Sequence, residues 1–222
     1  MTFAEMHHSA EDSPLDQKTT SVMLAILDAA SKDKLLITAT KLVKLLYLLD
    51  LKQIASGSQP ATAIEWRWRH YGPYSDAIYF AEQKLCREGY IHSEDRQWSS
   101  SRGRVLTLVG GAKYVSPEPD IIARIDEVIR EFGTLTPTQI KEHTYKTAPM
   151  LAAQRAGERE VLLDMRLARP KLNVSRVAAR YAARRAATNK EAYNDAEAQS
   201  ELLRVVSATA GTRHRANKLL DA

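Results

Sequence analysis

The sequence has few of the features that mark secreted or membrane-spanning proteins. Its 222 residues include one cysteine, Cys86, which excludes an intramolecular disulfide framework and fits a reducing compartment. No apolar run approaches the roughly 20 residues that a membrane-spanning helix needs. The first residues, MTFAEMHHSAEDSPLDQ, carry acids and histidines where a signal peptide has a basic and then an apolar stretch. We therefore expect a soluble, cytoplasmic protein that does not interact with membranes.

Signals of catalysis and metal binding are also scarce. The chain contains no P-loop, no G-x-S-x-G nucleophile elbow and no G-x-G-x-x-G dinucleotide-binding motif. His7 and His8 have no further ligands at a useful spacing. Cys86 lies among apolar neighbours on a predicted helix, which is typical of a small core residue. We expect no enzymatic activity, no catalytic residue, no metal and no cofactor.

Hydrophobic and charged residues are plentiful, and the charge is unevenly placed. Hydrophobic residues make up 44% of the chain and charged residues 27%, enough for a sizeable folded core. Residues 151–222 hold 14 basic against 8 acidic residues, whereas the first 150 hold 18 against 19. Eight basic residues and no acid occur between positions 165 and 190. The two parts of the chain are therefore expected to face different electrostatic partners.

Apolar periodicity predicts a mainly α protein in three parts. These are a flexible tail over residues 1–16, a helical domain with a β-hairpin over 17–156, and a basic, helical C-terminal extension over 157–222. The first helix opens near Thr19 or Thr20. Residues 37–55 form a central core helix, because leucines cover most of its sides.

A polar loop between two short β patterns predicts the hairpin. The strands lie near residues 90–93 and 104–109, and they follow a helix that ends near Gly89. Helix, short strand, polar loop and strand in this order are typical of a winged helix-turn-helix. We expect a small winged-helix-like hairpin whose wing extends from Arg96 to Arg104.

The segment EWRWRHYGPYS, residues 65–75, concentrates tryptophan, tyrosine and arginine. These residue types anchor protein interfaces. The two tryptophans could equally pack against the core helix, whereas a surface role is favoured for Arg67, Arg69 and Tyr74. With one residue of the next helix added, the candidate partner-binding residues are Trp66, Arg67, Trp68, Arg69, Tyr71, Tyr74 and Tyr79.

A second candidate surface lies in the basic stretch. Arginines four residues apart form one ridge of a helix, which could neutralise phosphates of DNA or RNA or dock on an acidic protein. A solvated face that pairs with nearby acidic residues is the alternative. The protein partner is slightly favoured, because residues that read bases are not evident. The candidate residues are Arg176, Arg180, Arg184 and Arg185.

Several motifs between about residues 36 and 145 carry a resemblance to a known family. KLVKLLYLLD at 41–50 matches a K-L-x-K-L-L-Y-x-x-D helix, Tyr71-Gly72-Pro73 an aromatic-Gly-Pro turn, and Gly89 with Ile91 a helix that ends in G-x-I. LTPTQIKEHTYKTAPM is similar to a later segment, although His143-Thr144 reverses the family's Thr-His order. The sequence thus resembles the Panacea domain of the SocA-like antitoxins.

This resemblance implies an antitoxin that neutralises a toxin encoded beside it by direct binding, as a hetero-oligomer with the toxin or as a homo-oligomer. A protease adaptor that delivers the toxin for degradation is an alternative that the family also implies. A second alternative comes from the residue patterns and not from the resemblance: a winged-helix transcription regulator that binds operator DNA through the hairpin and the basic helix. An adjacent gene that is toxic alone and harmless beside this one would distinguish an antitoxin from a regulator.

Overall fold

The computed structural model describes residues 14–98, 101–157, 159–170 and 178–184, together with residues 200, 203, 204 and 207. The chain divides into two units, the first ending at Pro170 and the second beginning at Lys171. In the first unit, helices surround a three-stranded and a two-stranded antiparallel sheet. None of the described helices has the length and apolar character needed to span a membrane.

The secondary structure of the first unit alternates between helices and short strands. The helices are α1 (Pro14–Lys32), α2 (Ala39–Ala55), α3 (Asp76–Arg87), α4 (Pro119–Phe132), α5 (Pro137–Tyr145) and α6 (Ala148–Ala156). The strands are β1 (Ile37–Thr38), β2 (Arg67–Arg69), β3 (Gly72–Tyr74), β4 (Ile91–Trp98) and β5 (Ser101–Leu108). A 3-10 turn covers Met165–Ala168. The mainly α class expected from the sequence is confirmed.

Helix α2 is the centre of the fold, as its leucine content predicted. Thr38 caps its start by accepting a hydrogen bond from the backbone N–H of Lys41 at 3.2 Å. Leu45, Leu46 and Leu49 have no exposed surface. Helices α1, α4 and α5 and strand β5 pack around α2. Because α2 contacts so many elements, residues along it can connect distant parts of the chain.

The predicted hairpin is present but longer than its apolar pattern indicated. Strands β4 and β5 pair along their whole length, from Ile91 opposite Leu108 to Trp98 opposite Ser101, and β5 also pairs with β1. The outer half of this ribbon is exposed and charged, with Arg102 donating to Asp95 at 3.0 Å. A two-sided polar strand has no apolar alternation, so the sequence indicated a loop there. That the hairpin is a winged-helix wing stays a prediction.

One helix start differs from the prediction. Helix α1 begins at Pro14 and not near Thr19 or Thr20, so the predicted tail of residues 1–16 overlaps its first turn. Proline suits the first helical turn, because its missing N–H would have no intrahelical partner there. Helix α4 also begins with a proline, Pro119, after its N-cap Glu118.

The segment after Gly157 is not helical where the sequence predicted a helix. Residues 159–164 run beside β2, and three backbone hydrogen bonds of 2.8 to 3.0 Å join Glu160, Val161 and Leu163 to Trp66 and Trp68. This pairing with a strand edge outweighs the helical propensity of the segment. The first unit therefore extends to Pro170, beyond the boundary expected at residue 156.

Candidate functional site

Buried helix α2 carries a polar side chain at every third position. They are Lys41, Lys44, Tyr47, Asp50 and Gln53, and all are buried. Side chains three residues apart are neighbours on a helix, so the first four, whose side chains bond to other segments, form one continuous row. We call this row the polar ridge. Each member contacts a different segment of the chain, and the ridge therefore ties those segments to the core helix.

Asp50 is the most completely bonded member of the ridge. Its carboxylate accepts hydrogen bonds from the Thr62 backbone N–H at 2.8 Å, from the Thr62 hydroxyl and from the Trp66 indole N–H at 2.9 Å. Burial raises the pKa of Asp50, and these hydrogen bonds oppose that rise. Asp50 thus holds both ends of the segment 62–66, through Thr62 and through Trp66.

Tyr47 and the two lysines of the ridge bind other segments. The Tyr47 hydroxyl lies 2.8 Å from the Thr147 hydroxyl, between α5 and α6. The Lys41 ammonium donates to the carbonyl of Gly133, after α4. The Lys44 ammonium donates to the carbonyl of Pro73 in β3 at 2.7 Å. Burial lowers the pKa of both lysines, and that of Lys44, which Lys141 also lowers, falls to about 7.

Two adjoining cavities of about 210 and 220 Å³ share Lys44 as a lining residue, and we call them together the lysine cavity. Lys44 is only 3% exposed, whereas Tyr71, which also lines both parts, is 72% exposed. Lys44 therefore lies at the floor and Tyr71 at the mouth. Tyr74 also lines both parts. The first part is further lined by Ala39, Thr40, Val43, Ile78, Tyr79, Glu82 and Arg104, and the second by Arg69, His70 and Gly72.

Gly72 allows the β2–β3 hairpin to pass close to α5. Its φ of +96° lies in the region that favours glycine. A Cβ at this position would lie 3.1 Å from Cε2 of Tyr145 and 3.6 Å from Nζ of Lys44. The close approach holds the Pro73 carbonyl over the lysine.

Glu82 is the buried acid of the cavity wall. Its Oε2 accepts a hydrogen bond from Nη2 of Arg104 at 3.1 Å, and its Oε1 lies 3.0 Å from the same nitrogen without hydrogen-bond geometry. Burial raises the pKa of Glu82, and Arg104 opposes that rise. The Arg104 guanidinium also lies 5.8 Å from the ring centroid of Tyr79. Glu82 is thus paired with Arg104 and not with Lys44.

Comparison with known proteins identifies the domain that contains this site. Residues 42–149 match the family described as antitoxin SocA-like, Panacea domain. This stretch is a SocA-like Panacea domain. The resemblance carried by the sequence motifs is thereby confirmed, and the match supports an antitoxin role. Neither the curated proteins nor the solved structures provided a match.

Three motif residues of the Panacea domain, Lys44, Tyr47 and Asp50, belong to the polar ridge and bind segments that the domain must hold together. Trp66 contacts this ridge: it is 1% exposed, and its ring packs edge-on against Tyr47 at 5.3 Å. As placed here, Trp66 offers no surface to a partner, and its role is to position the hairpin that follows.

The other candidate partner-binding residues of the Panacea domain lie at or near the surface. Arg69 bridges Asp76 and Glu160, each at 2.9 Å, and lies 5.2 Å from the ring centroid of Tyr74. The structure brings Arg69, Tyr71, Tyr74 and Tyr79 together around the lysine cavity. Trp68 is half-buried against the core, and Arg67 is exposed beside the segment of residues 159–164.

Sequence reasoning missed three residues of the site. Lys44 and Glu82 were not proposed because a charged residue on a helix is usually solvated. The signal that was present for Lys44 is the spacing of three between polar residues in an otherwise apolar helix. Phe80 is 68% exposed and its ring packs edge-on against Tyr79 at 5.8 Å, which extends the aromatic surface.

The second candidate surface falls mostly outside what the structure describes. Arg180 and Arg184 lie on the exposed helical residues 178–184, whereas Arg176 and Arg185 lie outside the described residues. That this surface binds a polyanion or an acidic partner stays a prediction. In the described parts of the chain, no group of three His, Cys, Asp or Glu side chains is arranged to hold a metal ion.

Proposed function

We propose that this protein is an antitoxin that neutralises its toxin by direct protein–protein binding, and that it acts by binding and not by catalysis. The binding surface would be the aromatic face, which we define as Arg69, Tyr71, Tyr74, Tyr79 and Phe80. The match to the SocA-like family supports the antitoxin role. Neither the DNA-binding alternative nor the protease-adaptor alternative is favoured by a further observation.

The observation that carries this surface is the exposure of large aromatic rings around a cavity. Aromatic residues make up only 7% of the chain, yet Tyr71 and Phe80 are 72% and 68% exposed on the same face. Exposed apolar groups collected around a pocket mark interaction sites more often than isolated ones do. Tyrosine and arginine are also over-represented among residues that dominate binding energy.

The aromatic face is partly ordered before any partner arrives. Two acids hold the Arg69 side chain, and the Tyr74 ring lies under its guanidinium. The aromatic rings of Tyr79 and Phe80 support each other. A surface whose side chains are already held loses less conformational entropy on binding.

The test measures affinity for the toxin encoded by the adjacent gene, by titration calorimetry, together with rescue of cells that express it. Tyr71→Ala and Phe80→Ala should each weaken binding by roughly 30-fold or more, the usual effect at an interface hot spot. Val115→Ala is the matched control, because Val115 is 66% exposed but does not line the lysine cavity. The proposed surface is wrong if both aromatic-face variants bind and rescue as the parent does.

A further inference from the structure

We propose that the lysine cavity receives an acidic side chain of the toxin, whose carboxylate pairs with the ammonium of Lys44. This inference rests on the proposed function, because it names the chemistry that the aromatic face would recognise at its centre. It concerns Lys44, which is buried but uses only one of its hydrogen-bond donors.

Lys44 has unused hydrogen-bonding capacity in a buried position. A lysine ammonium has three N–H donors, and Lys44 gives one of them to the Pro73 carbonyl. In the part of the chain that the structure describes, no carboxylate lies within ion-pair distance of it. A buried charge is costly unless it is paired, so the free protein holds this lysine partly neutral at pH 7. An anion that enters the cavity would complete its bonding.

The two arginines that line the cavity already have acidic partners. Arg104 pairs with Glu82, and Arg69 pairs with Asp76 and Glu160. Lys44 differs from both arginines because its neighbour is another cation, Lys141, and not an acid. A carboxylate from outside would therefore find its strongest unpaired donor at the cavity floor.

The walls of the cavity suit a short acidic side chain. Val43, Ile78 and Tyr74 offer apolar surface to methylene groups between the exposed mouth and the buried lysine. A carboxylate head needs only donors, which Lys44 supplies.

Docking on the aromatic face would close the mouth of the cavity. Tyr71 and Tyr79 line the mouth and belong to the same face. A partner that covers them removes water from the new ion pair, and such a desolvated pair is stronger than an exposed one. The buried carboxylate and the aromatic contacts would then form together.

Pairing with a carboxylate raises the pKa of Lys44, so the complex takes up a proton when it forms at pH 8. The other groups that face the cavity are Arg69, His70, Tyr71, Tyr74, Tyr79, Glu82 and Arg104, with Lys141 nearby. The arginines keep their charge throughout this pH range. Comparing the proton uptake of the parent with that of a variant without Lys44 distinguishes the protonation of Lys44 from that of the remaining groups.

The experiment is titration calorimetry of this protein with the toxin at pH 8 in buffers of different ionisation enthalpy. The parent should take up close to one proton, whereas Lys44→Met should take up none and bind roughly 30-fold more weakly. Lys41→Met is the matched control: Lys41 is also a buried lysine of the ridge, but it does not line the cavity. It should keep both the affinity and the proton uptake of the parent.

Toxin variants identify the source of the carboxylate. One Glu→Gln or Asp→Asn change in the toxin should lower affinity as Lys44→Met does, and the two changes should be non-additive when combined. If amidation of the toxin's C-terminus has this effect instead, the assignment to a side chain is wrong. The parent's proton uptake also requires no variant, so a poorly folded Lys44→Met protein would not prevent the test.

The outcomes separate this inference from the proposed function. Tight binding of the toxin without proton uptake, and with Lys44→Met equal to the parent, overturns the inference and leaves the antitoxin function intact. If the toxin does not bind the parent, the proposed function fails. The amide of N-acetylglutamate then tests the cavity alone: it should raise the pKa of Lys44 measured by NMR where the glutamine analogue does not, and an unchanged pKa overturns the inference.

Discussion

Asp50 and Lys44 both belong to the polar ridge of α2, yet their charged groups have different hydrogen-bonding environments. Asp50 accepts three hydrogen bonds from Thr62 and Trp66 in the closed core. Lys44 makes one hydrogen bond, to Pro73, and faces a cavity that opens to the surface. The bonding of Asp50 is complete within the chain, whereas that of Lys44 is complete only with an added anion.

This difference indicates that Asp50 has a structural role, whereas Lys44 is available to bind a partner. Buried polar groups in native proteins are nearly always hydrogen-bonded, so an exception calls for an explanation. Asp50 meets the rule, and its removal would leave three donors without an acceptor. Lys44 has one acceptor for its three N–H donors, and it lies beside exposed aromatic rings, where a partner can supply a further acceptor. Stability measurements can test this contrast directly.

The largest expected effect is the loss of stability in Asp50→Ala. This change leaves the indole N–H of Trp66 and both donors of Thr62 buried without an acceptor. We expect the free energy of unfolding to fall by about 3–5 kcal/mol, the usual result of removing one partner of a buried charged network. Chemical denaturation followed by tryptophan fluorescence and circular dichroism measures it.

The comparison within this experiment is Lys44→Met. It removes one hydrogen bond but also the cost of burying an ammonium, and methionine keeps much of the side-chain volume. We expect its free energy of unfolding at pH 7 to stay within about 1 kcal/mol of the parent. Equal losses in the two variants would contradict the distinction between Asp50 and Lys44.

The next effect in size concerns Gly72, which holds the hairpin over Lys44. Valine at this position must adopt a φ of +96°, and its Cβ would lie 3.1 Å from the Tyr145 ring. We expect Gly72→Val to lower the free energy of unfolding by about 1–3 kcal/mol, the cost of a residue in a sparsely populated backbone conformation. Thermal and chemical unfolding measure it.

The control for this change is Gly110→Val. Gly110 has an ordinary φ, and a Cβ there would meet no neighbour within 4 Å. It should therefore leave stability close to that of the parent. A Gly72→Val protein as stable as Gly110→Val would show that the hairpin tolerates a side chain at its closest approach to α5.

These variants also show which parts of the molecule the sequence could predict. The core position of α2 followed from its leucines. The aromatic segment was located, but the burial of Trp66 depends on its bond to Asp50, sixteen residues earlier in the chain. A local sequence pattern cannot predict a contact that forms only through tertiary packing.

The lysine cavity escaped prediction for the same reason. Its walls come from α2, α3, β3 and β5, which are separated along the chain. The pairing of residues 159–164 with β2 is likewise a long-range contact, in a segment whose composition favours a helix. The period of three along the ridge was the local signal that indicated buried polar contacts.

A smaller effect is the pH dependence of stability that Lys44 produces. Its pKa is about 7 in the folded protein against 10.5 for an ordinary lysine, so the unfolded chain binds more protons between these values. The cost of burying the ammonium is full below pH 7 and disappears as the pH rises toward 10.5. The stability of the parent should therefore rise relative to Lys44→Met over this range, by at most about 1.4 kcal/mol per pH unit.

Denaturation of both proteins at several pH values between 7 and 10 measures this difference. Subtracting the variant removes the pH dependence that the two proteins share. A constant difference between the two proteins would mean that Lys44 keeps an ordinary pKa in the folded state. Its ammonium would then be fully charged in the free cavity.

The smallest expected effect on stability is that of Arg69→Ala, at the exposed edge of the same cavity. Arg69 makes two ion pairs, but its side chain and those of Asp76 and Glu160 are open to solvent. Exposed ion pairs contribute little, because water and salt screen them. The thermal midpoint should stay close to that of the parent, and added salt should remove any remaining difference.

Arg104→Ala provides the contrast, because it leaves the buried carboxylate of Glu82 without its cation. Its thermal midpoint should fall clearly below that of Arg69→Ala. Equal midpoints for the two variants would mean that Glu82 takes up a proton when Arg104 is lost, and a stability difference that grows between pH 5 and 8 would reveal it.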